Sequence, residues 1–264
     1  MSTRESLLKK IEAARVKSAE EKKFSGTLMD YMDMVEKDPS IVKTAHQRLY
    51  EAINEHGSYL MPDSDPRKGK VFDNDSVKIH KYFEGEFFGM EKVVEKVMSF
   101  LDSAAHRGEE SRQVLLLMGP VGAGKSALTE HIKRALEGKK FYHLEGDPHR
   151  GEPLQLIPRS LRADFEKALG VKIEGDISPV ARHKLLGELG NKYENFPVVE
   201  SSFSQRARRG VAAVPPMDAN SQDVSVLIGS VDISKLDKYS EDDPRALSLT
   251  GAFNVGNRGI MEMV

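Results

Sequence analysis

Apolar residues recur every three to four positions in several stretches of the chain, and each such stripe predicts an amphipathic helix. Leu7, Leu8, Ile11 and Ala14 form the first, in a Lys/Glu-rich background. Leu28, Tyr31, Met32 and Val35 form the second. Asp38-Pro39-Ser40 supplies a helix start, because Asp38 or Ser40 can accept from free N–H groups and proline is tolerated in a first turn. Ile41, Val42, Ala45, Leu49, Ala52 and Ile53 then share one face, with Gly57 as the expected stop. This helical region reads as a docking module. Residues 58–80 break the periodicity. Pro62, Asp63, Ser64, Asp65, Pro66, Gly69 and Asp73-Asn74-Asp75 read as a linker or exposed loop. The expected division is therefore a helical N-terminal region with linker over 1–80 and a larger domain over 81–264.

The second part has a different rhythm. Phe83, Phe87 and Phe88-Gly89-Met90 lead into Val93, Val94, Val97, Met98 and Leu101, one helical face. Val114-Leu115-Leu116-Leu117-Met118 is a short unbroken apolar run, which fits a strand buried on both faces of a parallel sheet. Leu128, Ile132, Ala135 and Leu136 predict a helix stopped by Gly138, and Phe141–Leu144 predicts a second strand. Strand, helix and strand in this order predict a parallel α/β unit. Further helices are expected over 160–169 and 179–189, the latter with Ser178 as cap. Val198–Phe203 is an expected strand, Arg206–Gly210 a basic loop, and Gly259–Val264 a final apolar segment.

Composition narrows the classes of function. The 264 residues carry 39 Lys+Arg against 41 Asp+Glu, a net charge of −2, which gives no reason to expect nucleic acid or a membrane surface as partner. The absence of cysteine excludes a disulfide framework, a thiolate metal site and a cysteine nucleophile. No apolar run approaches the ~20 residues of a membrane helix. The chain opens on a charged amphipathic pattern with no signal-peptide core, so a cytoplasmic location is expected.

One motif carries chemistry. Gly119-Pro120-Val121-Gly122-Ala123-Gly124-Lys125-Ser126 matches the G-x-x-x-x-G-K-[ST] phosphate-binding loop. Glycines let backbone N–H groups converge on phosphate oxygens, and the helix that follows, starting near Ser126 and Ala127, points its positive end at the same anion. Lys125 is the expected catalytic charge on the β- and γ-phosphates, and the Ser126 hydroxyl the expected ligand of Mg²⁺. Phe88 and Gly89 are candidates to pack against an adenine base, with a helix-start turn of core aromatics as the alternative reading. His143, Glu145, Asp147 and His149 alternate as metal ligands would, but Gly146 and Pro148 interrupt the strand, and a polar loop is the favoured reading. Arg206, Arg208 and Arg209 read as a solvated basic loop. No G-x-S-x-G hydrolase signature and no H-R-D or D-F-G kinase element is present, so any phosphotransfer has to use the phosphate loop.

The order of landmarks resembles the AAA-type domain of the bacterial PrkA serine protein kinase family. The resemblance rests on Phe87–Glu91, Leu116–Ser126, Glu152–Pro158, Ile173–Pro179, Ser221–Asp223, Gly229–Ile233, Asp243–Ala246 and Asn257–Glu262. It implies an α/β P-loop nucleoside triphosphatase of AAA+ type, with a parallel sheet and flanking helices behind the small helical region. It also implies ATP and Mg²⁺ as cofactors, phosphorylation of serine in a protein substrate, and a homo-oligomeric ring for the full-length protein. In that family the chain would be the N-terminal part of a protein more than twice as long. The acidic pair, sensor and arginine finger would then lie beyond Val264, and the present residues alone would turn ATP over poorly. By alternation Glu262 shares a face with Ile260 and Val264, so it is not assigned as the catalytic acid. An ATP-driven remodelling or proteolytic motor fits the same loop, as does a nucleotide-gated binding module.

Overall fold

The computed structural model describes residues 23–215, 223–241 and 243–264; the stripe at Leu7–Ala14 lies outside the described residues. β1 (Ser25–Thr27) runs into α1 (Leu28–Lys37) through a capping box. The Thr27 hydroxyl accepts from the Asp30 N–H, and the Asp30 carboxylate accepts from the Thr27 N–H at 2.7 Å. The next helix does not start at Ser40. Asp38 caps only a 3₁₀ turn over Pro39–Ile41, and α2 (Ala45–Asn54) begins at a second capping box made by Thr44 and Gln47. Two local caps compete for the same run, and the reciprocal pair at Thr44 satisfies more of the free N–H groups.

Residues 58–80 fold rather than trail. β2 (Ser58–Leu60), α3 (Pro66–Val71) and β3 (Lys78–His80) enclose a small core of Met61, Phe72, Val77 and Ile79, with Ser58 opposite His80 in an antiparallel pair. α4 (Glu91–Ala105) and α5 (Lys125–Arg134) follow. The expected strand between them is absent. Among the described residues Val114–Met118 joins no sheet, and Val114, Leu116 and Met118 are 90%, 74% and 84% exposed. Only Leu117 packs on the core. A buried strand needs a paired neighbour on each side. Among the described residues none pairs with this run, although burying each Val or Leu would gain about 1.5–3 kcal/mol.

β4 (Lys140–Leu144) is the second expected strand. After it come α6 (Arg162–Leu169), α7 (Pro179–Gly187) and β5 (Pro197–Ser202). The three-stranded sheet has the order β1-β5-β4 and is antiparallel throughout, with His143 opposite Val199. The parallel unit expected here is therefore not formed. β6 (Val211–Val214), α8 (Ser225–Ile228), β7 (Ser230–Val231), β8 (Leu247–Ser248), α9 (Ala252–Val255) and β9 (Ile260–Met263) complete the described chain. Among the described residues β6 with β9 is the one parallel pair. The protein is thus mixed α/β with small, mostly antiparallel sheets.

The β1-β5-β4 sheet separates two cores, as alternation along β4 requires. Phe141 faces the core built by α2, α4 and α5, while Tyr142 and Leu144 face the one built on Leu28, Tyr31, Leu154 and Phe196. A charged network crosses between them. The Tyr31 hydroxyl donates to Glu152 Oε1 at 2.5 Å, and the Arg258 guanidinium binds the other Glu152 oxygen and the Tyr142 carbonyl. Burial, then the Glu152 charge, pushes the Tyr31 hydroxyl well above the usual range, so it remains a donor. Arg48 donates to the Lys140 carbonyl at 3.1 Å, and burial followed by the nearby Arg258 pulls its pKa down to about 10. Among the described residues no helix is long and apolar enough to cross a membrane.

Candidate functional site

The loop from Gly119 to Ser126 opens α5 on the surface. Gly122 (φ +81°) and Gly124 (φ +78°) hold left-handed conformations that an L side chain adopts only with strain. Gly124 is the N-cap and contributes no side-chain acceptor, so the amides of Lys125, Ser126 and Ala127 take no partner among the described residues. An anion is the natural partner for such a helix end. Lys125 Nζ is folded back onto the carbonyls of Gly119 (2.7 Å) and Pro120 (2.8 Å). These neutral, solvent-facing carbonyls are weaker partners than a charged acceptor. Val121 is fully exposed, and Pro120, Ala123, Ser126 and Ala127 are also on the surface. The amides, the Lys125 cation and the exposed Ser126 residue fit a triphosphate with its divalent cation.

The helix behind the loop is anchored firmly. Leu128 and Ile132 enter the core against α4. His131 packs among Tyr82, Phe83 and Phe87 with ring centroids 4.5–5.4 Å away, and the Tyr82 hydroxyl donates to the His131 carbonyl at 2.8 Å. Lys133, with a fully buried side chain, binds Glu130 and Glu262 Oε2, the latter at 2.6 Å. Burial opposes its charge, but the hydrogen bonds to Glu130 and Glu262 outweigh it and hold the pKa above the usual value. This pair ties α5 to β9 and occupies Glu262.

Phe88-Gly89-Met90 lies against the loop. Met90 Sδ would stand 3.2 Å from a Cβ placed on Gly124, so the two segments touch. Phe88 is 75% exposed and Gly89 turns the chain at φ +74°. Beside them is a cleft of about 350 Å³ between β3 and α4, lined in part by Phe87, Phe88, Arg67, His80 and Glu91. No residue of the phosphate loop lines it.

The remaining candidates are structural. His143 Nδ1 donates to the Leu144 carbonyl and Nε2 accepts from the Ser201 hydroxyl, both at 2.9 Å, and burial lowers its pKa. Asp147 accepts from the Gly151 N–H and the Ser178 hydroxyl, both at 2.7 Å, and from the His149 N–H. Burial pushes Asp147 up, yet the neighbouring His149 side chain and then these bonds outweigh it and its pKa is lowered. Among the described residues no group of three acids or histidines is placed to hold a metal. Arg209 donates to the Ser202 carbonyl across its own turn and Arg208 to the distant Thr250 carbonyl, while Arg206 is exposed.

Sequence reasoning missed Met90 against Gly124, the burial of Lys133 and the Arg258–Glu152–Tyr31 network. Glu152 and Arg258 did lie in the stretches that carry the family resemblance.

Comparison with known proteins adds to this geometry. The sequence model of the PrkA AAA domain matches residues 26–264. The chain is 35% identical over 264 residues to the ATP-dependent protease PrkA of Bacillus subtilis (strain 168), covering 97% of this chain and 40% of that protein. It is 36% identical over 259 residues to the serine/threonine kinase YeaG of Escherichia coli (strain K12), covering 95% of this chain and 39% of that protein. A Lon protease of Aster yellows witches'-broom phytoplasma is 26% identical over 148 residues, 51% of this chain and 19% of that protein. The chain thus spans about 40% of the length of the first two relatives. No solved structure matches it.

Proposed function

The chain belongs to the PrkA AAA domain family, and on that premise we propose that it binds ATP with Mg²⁺ at Gly119–Ala127 as the nucleotide-binding part of a longer enzyme acting on protein. The observation that carries this reading is the run of amides at the start of α5 that take no partner among the described residues, beside a lysine held there by two exposed carbonyls. The amides of Gly122, Gly124, Lys125, Ser126 and Ala127 receive phosphate oxygens. Lys125 Nζ leaves the Gly119 and Pro120 carbonyls for the β- and γ-phosphates. Ser126 Oγ ligates the cation, and Phe88 with Gly89 covers the base. Bound Mg·ATP supplies the phosphoryl group. Glu262 is held by Lys133 and does not act as the base. A ring of identical chains in the cytoplasm belongs to the same reading.

The acceptor in this reading is a serine hydroxyl of a substrate protein, supported by the kinase name of the Escherichia coli relative. A second reading sends the phosphoryl group to water and uses the turnover to move a protein. It is supported by the protease name of the Bacillus subtilis relative and by the Lon similarity. Incubation of the longer protein with γ-labelled ATP and substrate protein separates them, with Lys125→Ala as control. Label on serine that vanishes in the variant is the expected result. Lysine-dependent free phosphate alone would select the motor, and no lysine-dependent turnover would leave only a nucleotide-gated binding module.

A further inference from the structure

The segment between β4 and β5 encloses a second cleft of about 460 Å³, lined by no residue of the nucleotide site. It is built from two motif-like stretches that ATP binding does not use, Gln155–Pro158 and Asp176-Ile177, together with α7. Its floor is apolar, with Leu156, Ile157 and Leu185 buried beneath it, and Leu186 stands 58% exposed at its edge. Its rim is cationic. Arg159, Arg162 and Arg182 line it, and Asp176 is the one acid lining it among the described residues.

The three guanidinium groups are not equivalent. Arg162 is committed to the fold, donating to the carbonyls of Ile157 (3.0 Å), Gly175 (2.8 Å) and Gln155 (3.2 Å). Arg159 grips Asp176 through Nε at 3.1 Å and through Nη2. That hydrogen bond, reinforced by the charges of Arg159, Arg162 and Arg182, lowers the Asp176 pKa, so the carboxylate stays ionised. Arg182 makes no side-chain hydrogen bond among the described residues and lies exposed. One carboxylate against three guanidiniums leaves the rim positive, and two of the three are already occupied. A cage closing on a single phosphate is therefore not what the cleft offers. It offers an apolar trough with an available cation at its edge.

We propose that this cleft docks a segment of a partner protein in which acidic and apolar side chains alternate. The apolar side chains cover Leu186 and the floor, and a carboxylate meets Arg182. Charge complementarity selects the occupant. The docking goes beyond the nucleotide reading and requires no ATP.

The test is fluorescence anisotropy of the whole chain with a short labelled peptide of alternating leucine and glutamate, beside its leucine and lysine counterpart. The glutamate peptide is expected to bind and the lysine peptide to bind at least about tenfold more weakly. Arg182→Glu should weaken the glutamate peptide about tenfold and Leu186→Asp similarly, both with unchanged circular dichroism because both side chains are exposed. Lys125→Ala should bind it as the unaltered chain does, so a failure of the nucleotide reading would leave this result standing. Equal binding of the two peptides, no binding of either, or undiminished binding by Arg182→Glu would overturn the proposal. So would binding that requires a phosphorylated serine in the peptide, which would make the cleft a phosphate site.

Discussion

Lys125→Ala is expected to weaken ATP binding about ten- to a hundredfold while leaving the fold intact. A charge-assisted hydrogen bond contributes about 1.5–3 kcal/mol, and about 1.4 kcal/mol is a factor of ten in affinity. The lysine presently rests on two carbonyls of its own loop. Moving it to phosphate exchanges neutral acceptors for charged ones, so its contribution appears only with ligand bound. Deleting it removes that gain and leaves the two carbonyls open to water, at little cost to stability. Calorimetric titration with Mg·ATP measures the affinity, and circular dichroism checks the fold. Unchanged affinity in a folded variant would remove Lys125 from the site.

Arg258→Ala is expected to destabilise the protein by about 3–5 kcal/mol, a large part of the stability of a typical domain. The Arg258 and Glu152 side chains are 9% and 13% exposed, and Arg258 also satisfies the Tyr142 carbonyl. Removing the cation strands a carboxylate in a poorly solvated place. It also leaves an open space beside Phe141, over whose ring the guanidinium lies at 5.4 Å. Replacing both partners, Arg258→Met with Glu152→Leu, should cost less than the single substitution, because no stranded carboxylate remains, although the Tyr31 hydroxyl and the Tyr142 carbonyl still lose their partners. Urea unfolding of the single and double variants checks this. A single variant within about 0.5 kcal/mol of the unaltered chain would mean that solvent screens the pair.

The helices that bury one face were readable because their signal is local. α1, α4, α5 and α7 lie where the apolar stripes and the Ser178 cap put them. The turn at Gly119–Ser126 and the helix start behind it were readable for the same reason, since the residues that shape them are consecutive. Val114–Met118 misled because its apolar composition is local while strand pairing is not. Residues 58–80 looked like a linker because the prolines, the aspartates and Gly69 outnumber the few apolar side chains that pack, Met61, Phe72, Val77 and Ile79. Lys133 carries no sequence signal that sets it apart from the other lysines. Its burial follows from Glu262, 129 positions away, and no local pattern signals such a partner. The Arg258–Glu152 pair, 106 positions apart, was hidden in the same way.

Amide hydrogen exchange with and without Mg·ATP tests the central claim most directly, because it reads the backbone groups that the account assigns to the phosphates. The amides of Gly122, Gly124, Lys125, Ser126 and Ala127 take no partner among the described residues and should exchange fast in the free chain. On addition of Mg·ATP they should slow more than any other surface segment, and in Lys125→Ala the same slowing should require about ten- to a hundredfold more Mg·ATP. Exchange over Gly119–Ala127 that ignores saturating Mg·ATP, or protection confined to another part of the chain, would contradict the account.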